Sequence, residues 1–266
     1  MPFLEVRHVR WPCPPAKENQ KNTGRKTMAE SPPVPDDQNE PGRTFDFKAL
    51  TDLTLILAVL VIVKQSVLPY SFLYAGPAST FSAMAVATWL LYRRGLGWAD
   101  LGLRWPENWL KTAGFTVLTI AVLFLTMGLV GELADMLFED VGTSGRFEHV
   151  EGNFAAYLGM MLLVWTHGSF FEELLFRAFI VNRASSFLGG GFKADVIAAV
   201  FSAVFFGYRH YYYQGMNGAL TTGALGLAFA ILYLWFGRKN ILPLILSHGA
   251  INSLGMTMRF LGLRGE

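Results

Sequence analysis

The sequence predicts an all-α fold, a polytopic helical membrane protein with seven or eight transmembrane helices, and three observations support this prediction. Of the 266 residues, 52% are hydrophobic and only 16% are charged, whereas soluble domains carry about 25% charged residues. From residue 53 onward, apolar stretches recur at roughly the 20-residue length with which a helix crosses hydrocarbon. The alternating pattern of a β-barrel is absent, so helices are expected to satisfy the backbone in lipid.

The length of one apolar stretch leaves the helix count open. The stretches lie at 53–74, 77–92, 109–131, 154–188, 194–208, 218–236 and 241–258. As an α-helix, 154–188 would be about 52 Å long, so we expect it to tilt, to break near His167, Gly168 and Ser169, or to form two helices. Lys64 lies inside the first stretch, where snorkelling or a cavity-facing position explains a lysine more often than a functional role.

The chain divides into two predicted regions: a disordered polar tail at 1–46 and a helical membrane domain at 47–266. The tail has too few apolar residues to offset the entropy cost of ordering. It lacks the apolar core of a cleaved signal peptide, and Met28 is an alternative to Met1 as the initiator. In a seven-span arrangement, the basic loops lie on the same side as the tail, which predicts a cytoplasmic tail by the positive-inside rule.

Charge and cysteine content exclude some classes of function. The net charge of +2 is small and dispersed, which argues against a nucleic-acid-binding surface, and no nucleic-acid partner is expected. The single cysteine, Cys13, excludes an internal disulfide framework and any site built from several thiolates.

Three apolar stretches carry ionisable or amide side chains, which are costly in a membrane and usually mark a functional interior. Each alone is more often a structural hydrogen-bonding or ion-pairing group. Their joint occurrence in a chain with few other intramembrane charges favours a functional site. These side chains are Glu172, Glu173 and Arg177 on 154–188, His210 at the end of 194–208 with Phe206 before it, and His248 and Asn252 on 241–258.

Helical spacing suggests different roles for the two glutamates. Glu173 and Arg177 are four residues apart, in the order that favours an ion pair, so Glu173→Gln is expected mainly to lower stability. Glu172 is rotated about 100° from Glu173. It is therefore free to face a reactant as a general base, because a partly dry cavity makes a carboxylate more basic.

The histidines and the asparagine complete the predicted site. His248 and Asn252 share one helix face, where they can donate hydrogen bonds to a developing oxyanion, and His210 can orient a water or exchange protons. With the span boundaries above, His210 falls about 24 Å from the cytoplasmic side, near which Glu172 and His248 lie. A tilted or shorter fifth span must therefore bring the three together.

The ordered motifs Glu-Glu-x-x-x-Arg, Phe-x-x-x-His and His-x-x-x-Asn resemble those of the CAAX-protease and bacteriocin-processing (CPBP) family, which includes the Ras-converting enzyme. The resemblance covers residues 150–258. It implies an intramembrane endopeptidase whose partners are membrane lipid and a peptide or protein substrate, with or without a lipid modification. The resemblance also implies a role for each residue. Glu172 and His210 activate the water, and His248 and Asn252 form the oxyanion site. The supporting residues are Glu173, Arg177 and Phe206.

Two alternatives stay open. Glu172, His210 and His248 can instead be three ligands of a catalytic zinc with water in the fourth position. The sequence lacks His-Glu-x-x-His, so the metal-free mechanism is favoured and no cofactor is expected. The other alternative is a non-enzymatic transporter or scaffold, although the hydropathy pattern lacks the paired halves typical of transporters.

Overall fold

In the computed structural model, the structure describes residues 45–139, 141 and 145–263. These residues form helices joined by turns, and no strand occurs among them. The predicted all-helical fold class is therefore confirmed for this part of the chain. Met28 and the proposed tail, apart from Phe45 and Asp46, lie outside the described residues.

Six long helices make up the fold, and two 3₁₀ turns, Trp98–Leu101 and Glu148–Val150, lie in the connections. The helices are α1 (Phe47–Val67), α2 (Ala75–Arg93), α3 (Trp109–Leu137), α4 (Phe154–Phe187), α5 (Gly191–Trp235) and α6 (Leu242–Phe260). Of the described helices, α3, α4 and α5 are long and apolar enough to cross a membrane by length and composition. The full count of seven or eight crossings stays a prediction.

α5 is a hairpin with two limbs. Gly215 interrupts it with φ 63° and ψ −163°, a backbone conformation that glycine tolerates. A Cβ built on Gly207 would lie 2.4 Å from the carbonyl oxygen of Ala219 and 3.0 Å from Cα of Gly223. The two limbs therefore pack backbone against backbone. They coincide with the separate apolar stretches predicted at 194–208 and 218–236.

α4 is one continuous helix of 34 residues, and the alternative of two helices is not found. Its winding widens into a π-helix at Thr166–Phe171 and again at Leu174–Val181. The first of these segments contains the predicted weak point at 167–169. Glu172 and Glu173 lie between the two wide segments, and such π insertions are frequent at functional sites.

Contacts between connections define the two ends of the bundle. At one end, Arg94 Nη2 donates to Asp52 Oδ1 at 2.7 Å, which joins the end of α2 to the start of α1. At the other, the Gly152 N–H donates to the Phe260 carbonyl at 3.0 Å, which joins the start of α4 to the end of α6. We call these the basic end and the far end. The basic end is named for Arg93, Arg94, Arg104, Lys111, Arg183, Lys193, Arg238 and Lys239.

The close packing inside α5 gives a stability prediction. Gly207→Ala should destabilise the protein by about 1–3 kcal/mol, because the added Cβ cannot fit against the Ala219 carbonyl unless the limbs move apart. Gly114→Ala on α3 is the matched control, since no atom lies within 4 Å of its Cβ position. Melting temperatures in detergent provide the comparison. A Gly207→Ala variant as stable as the wild type would contradict the packing described.

Candidate active site

A cavity of about 670 Å³ lies in the half of the bundle nearer the far end. All four predicted catalytic residues line it, namely Glu172, His210, His248 and Asn252, and so does Phe206. Glu173 and Arg177 lie behind the cavity wall, fully buried. The fold thus brings the three motifs together, as the sequence predicts, while the catalytic role of each residue stays a prediction.

Glu173 has two partners. Its Oε2 lies 3.3 Å from Nε of Arg177, so the predicted ion pair is present. Its Oε1 lies 2.8 Å from Nδ1 of His248, a contact that the sequence did not predict. Since an ionised carboxylate can only accept, Nδ1 of His248 carries the hydrogen and donates it. His248 is therefore held by Glu173, and its Nε2 remains available for other bonds.

Two phenylalanine rings join this ion pair to the histidines. The guanidinium carbon of Arg177 lies 4.4 Å from the ring centre of Phe206 and 4.9 Å from that of Phe229. Phe206 also packs against His210, with ring centres 4.5 Å apart, and Phe229 packs against His248 at 5.0 Å. A buried cation between aromatic faces is stabilised by their quadrupoles. The supporting role predicted for Phe206 is consistent with this packing.

The tautomer of His210 follows from its hydrogen bond. Nδ1 lies 2.8 Å from the carbonyl oxygen of Phe206. A carbonyl can only accept, so Nδ1 carries the hydrogen, and in the neutral ring Nε2 has a free lone pair. His210 can therefore accept a hydrogen bond or a proton from a water in the cavity.

His167 is a site residue that sequence reasoning missed, having named it only as a possible break in the helix. It lines the cavity, and its Nε2 lies 3.5 Å from Oε1 of Glu172. In a regular α-helix, residues five apart point about 140° away from each other. The π-helical winding between the two residues has i→i+5 periodicity, which brings them to one side. The sequence signal that could have identified it is the five-residue spacing between His167 and Glu172 on an apolar segment.

Asn252 contacts the same wide segment of α4. Its Nδ2 donates to the carbonyl oxygen of Gly168 at 3.2 Å. The amide has a second N–H and a carbonyl oxygen that this bond does not use. Asn252 is therefore fixed against α4 and keeps a donor for a ligand of the cavity.

The zinc alternative requires three ligands close together. Across residues 45–139, 141 and 145–263, no three histidine, cysteine, aspartate or glutamate side chains are grouped so that they could hold a metal ion. Glu172, His210 and His248 share the cavity but do not form such a group.

Comparison with known proteins identifies one matching family. Residues 154–254, from the start of α4 into α6, match the family model described as Type II CAAX prenyl endopeptidase Rce1-like. This segment contains all three motifs. No curated protein and no solved structure matches the chain. The match over residues 154–254 is consistent with a CPBP/CAAX protease family, and the matched family is one of peptidases.

Proposed function

We propose that this integral membrane protein is an intramembrane endopeptidase in which Glu172 activates the hydrolytic water. The observation that carries the proposal is that Glu172, His210, His248 and Asn252, from three separate motifs, line one cavity in an apolar helical bundle. The family match supports a peptide or protein substrate. It also favours the enzyme over the transporter and scaffold alternatives.

The first chemical step is the addition of water to the peptide carbonyl. Glu172 takes a proton from the water, which is oriented by Nε2 of His210, and the water oxygen bonds to the carbonyl carbon. The carbonyl oxygen becomes an oxyanion and accepts hydrogen bonds from Asn252 and His248. The C–N bond then breaks, and protonated Glu172 gives its proton to the leaving nitrogen.

The geometry adds a requirement on His248. Its Nδ1–H is already donated to Glu173, so Nε2 can donate to the oxyanion only if the ring is an imidazolium. The carboxylate of Glu173 lies 2.8 Å from Nδ1 and holds the ring in place. Glu173 thus positions His248, a role in addition to its ion pair with Arg177.

The adjacent glutamates should respond differently to the same substitution. Glu172→Gln should lower peptide cleavage about 100- to 10,000-fold without lowering the melting temperature, because it removes a buried, poorly solvated carboxylate. Glu173→Gln should lower both, since an amide does not balance the charge of the buried Arg177 and His248 loses its carboxylate partner. Breaking such a buried pair costs about 3–5 kcal/mol.

The assay compares both variants in detergent with a peptide that carries a prenylated cysteine followed by three residues, the kind of substrate named by the family description. Glu107→Gln, exposed on the basic end, is the matched control and should behave like the wild type. An active Glu172→Gln, or a Glu173→Gln that is both stable and active, would refute these roles.

Metal independence is part of the proposed mechanism. Exhaustive chelation should leave cleavage of the same peptide unchanged, because a carboxylate and two imidazoles suffice to activate the water and stabilise the oxyanion. Metal content is measured on the same active sample by plasma mass spectrometry. Loss of activity that zinc alone restores would instead support the zinc alternative.

We further propose that the basic end faces the cytoplasm. Arginines and lysines concentrate in the connections at this end, which is typical of cytoplasmic loops. The cavity extends toward the far end, where Arg146 and the C-terminal halves of α3 and α6 line it. In this orientation, the cavity extends from the catalytic residues toward the side away from the cytoplasm, so substrates reach it from that side. Glu172 and His248 themselves lie in the halves of α4 and α6 nearer the basic end.

Cysteine labelling tests this orientation. In a Cys13→Ser background, Leu263→Cys at the far end should react with a membrane-impermeant maleimide on intact cells. Trp105→Cys at the basic end should react only after permeabilisation. Both positions are exposed in the structure, at 67% and 85%, so each thiol is accessible from its own side. The reverse labelling pattern would place the cavity toward the cytoplasm.

A further inference from the structure

Three cations lie together beside the cavity wall. Arg209, the residue before His210, is buried and donates to the hydroxyls of Ser79 and Thr80 at 3.0 and 3.2 Å. Lys64 donates to the Arg209 carbonyl at 3.3 Å, and its Nζ lies 4.1 Å from the ring centre of Tyr212. Lys64 is thus an interior residue that does not snorkel to the membrane surface.

Arg146, the third cation, lines the cavity itself. Its Nη1 donates to the hydroxyl of Tyr212, and its Nη2 donates to the Leu73 carbonyl at 2.9 Å. Its Nε is buried without a hydrogen-bond partner in the described part of the chain. Arg146 is therefore fixed in place by two hydrogen bonds, and the other N–H groups of its guanidinium are not used by them.

Neutral oxygens satisfy these cations in place of carboxylates. Among the described residues, no Asp or Glu oxygen lies within 4.0 Å of a charged nitrogen of Lys64, Arg146 or Arg209. Three such charges in a poorly solvated interior produce a strong positive potential. Of these three cations, Arg146 is the one that lines the cavity, so a ligand in the cavity can contact it directly.

The position of Arg146 relative to Glu172 limits what it can bind. A methyl group built on Gly76 would lie 3.9 Å from Arg146 Nη2 and 3.9 Å from His167 Nε2, so these two nitrogens are at most about 8 Å apart. Since His167 Nε2 lies 3.5 Å from Glu172 Oε1, the guanidinium is within about 11 Å of the general base. An extended peptide covers about 3.3–3.6 Å per residue, so about three residues bridge that distance.

We infer that Arg146 forms a carboxylate-binding subsite, which takes a substrate carboxylate no more than three residues beyond the scissile bond. This inference rests on the proposed function for the location of the scissile bond. A guanidinium binds carboxylates with strong, charge-assisted hydrogen bonds. The carboxylate is either the free C-terminus of the substrate or an acidic side chain near it.

Binding to the inactive Glu172→Gln protein separates this inference from catalysis. The probes are fluorescent prenylated peptides with three residues after the cysteine, made as the free acid, as the C-terminal amide, and as the amide with aspartate at the last position. The free acid should bind about 10- to 100-fold more tightly than the plain amide. Adding Arg146→Gln should abolish that preference by weakening binding of the free acid while leaving binding of the plain amide unchanged. Arg259→Gln, which changes the other arginine that lines the cavity, should retain it.

Each outcome supports or overturns the inference. If only the aspartate amide binds tightly, the subsite binds an acidic side chain. If only the free acid binds tightly, the subsite binds the C-terminal carboxylate. Equal binding of all three probes to the protein with native Arg146 overturns the inference, even if Arg146→Gln fails to fold. So does a preference that survives in Arg146→Gln. If wild-type protein cleaves none of these peptides while the Arg146-dependent preference is present, the proposed function fails and the subsite stands.

Discussion

The buried carboxylate of Glu173 is the constraint on which the rest of the site depends. A charge with no exposure must be compensated by partners of opposite charge, and Glu173 meets this need with Arg177 on its own helix and His248 on α6. The α5 limbs then contribute Phe206 and Phe229, whose rings cover the guanidinium. Glu173 and its partner Arg177 thus join α4 to α5 and α6, the three helices that carry the predicted catalytic residues.

The winding of α4 points the side chains of the two adjacent glutamates in different directions. With wide turns before and after the pair, Glu173 points into the packed interior, while Glu172 lines the cavity beside His167. The same wide turn presents the Gly168 carbonyl to Asn252 on α6. A carboxylate whose charge is balanced, Glu173, therefore lies next to one that lines the cavity, Glu172, and the proposed mechanism gives the first a structural role and the second a chemical one.

Features set by local spacing could be predicted from the sequence, and those set by tertiary contacts could not. The Glu173–Arg177 pair follows from four-residue spacing on one helix, and the two limbs of α5 follow from the interruption of hydrophobicity around Gly215. The contact of Glu173 with His248 joins positions 75 residues apart, so no local pattern indicates it. His167 was missed because its approach to Glu172 depends on π-helical winding, which regular α-helical periodicity does not anticipate.

The central claim is that this cavity hydrolyses peptide bonds through Glu172. Mass spectrometry of peptide termini compares membranes from cells that express the wild-type chain with membranes from cells that express Glu172→Gln at the same level. The account predicts new termini that appear only with the wild-type chain and that end in an ordinary carboxylate, since water is the nucleophile. The same set of termini in both membranes would contradict it.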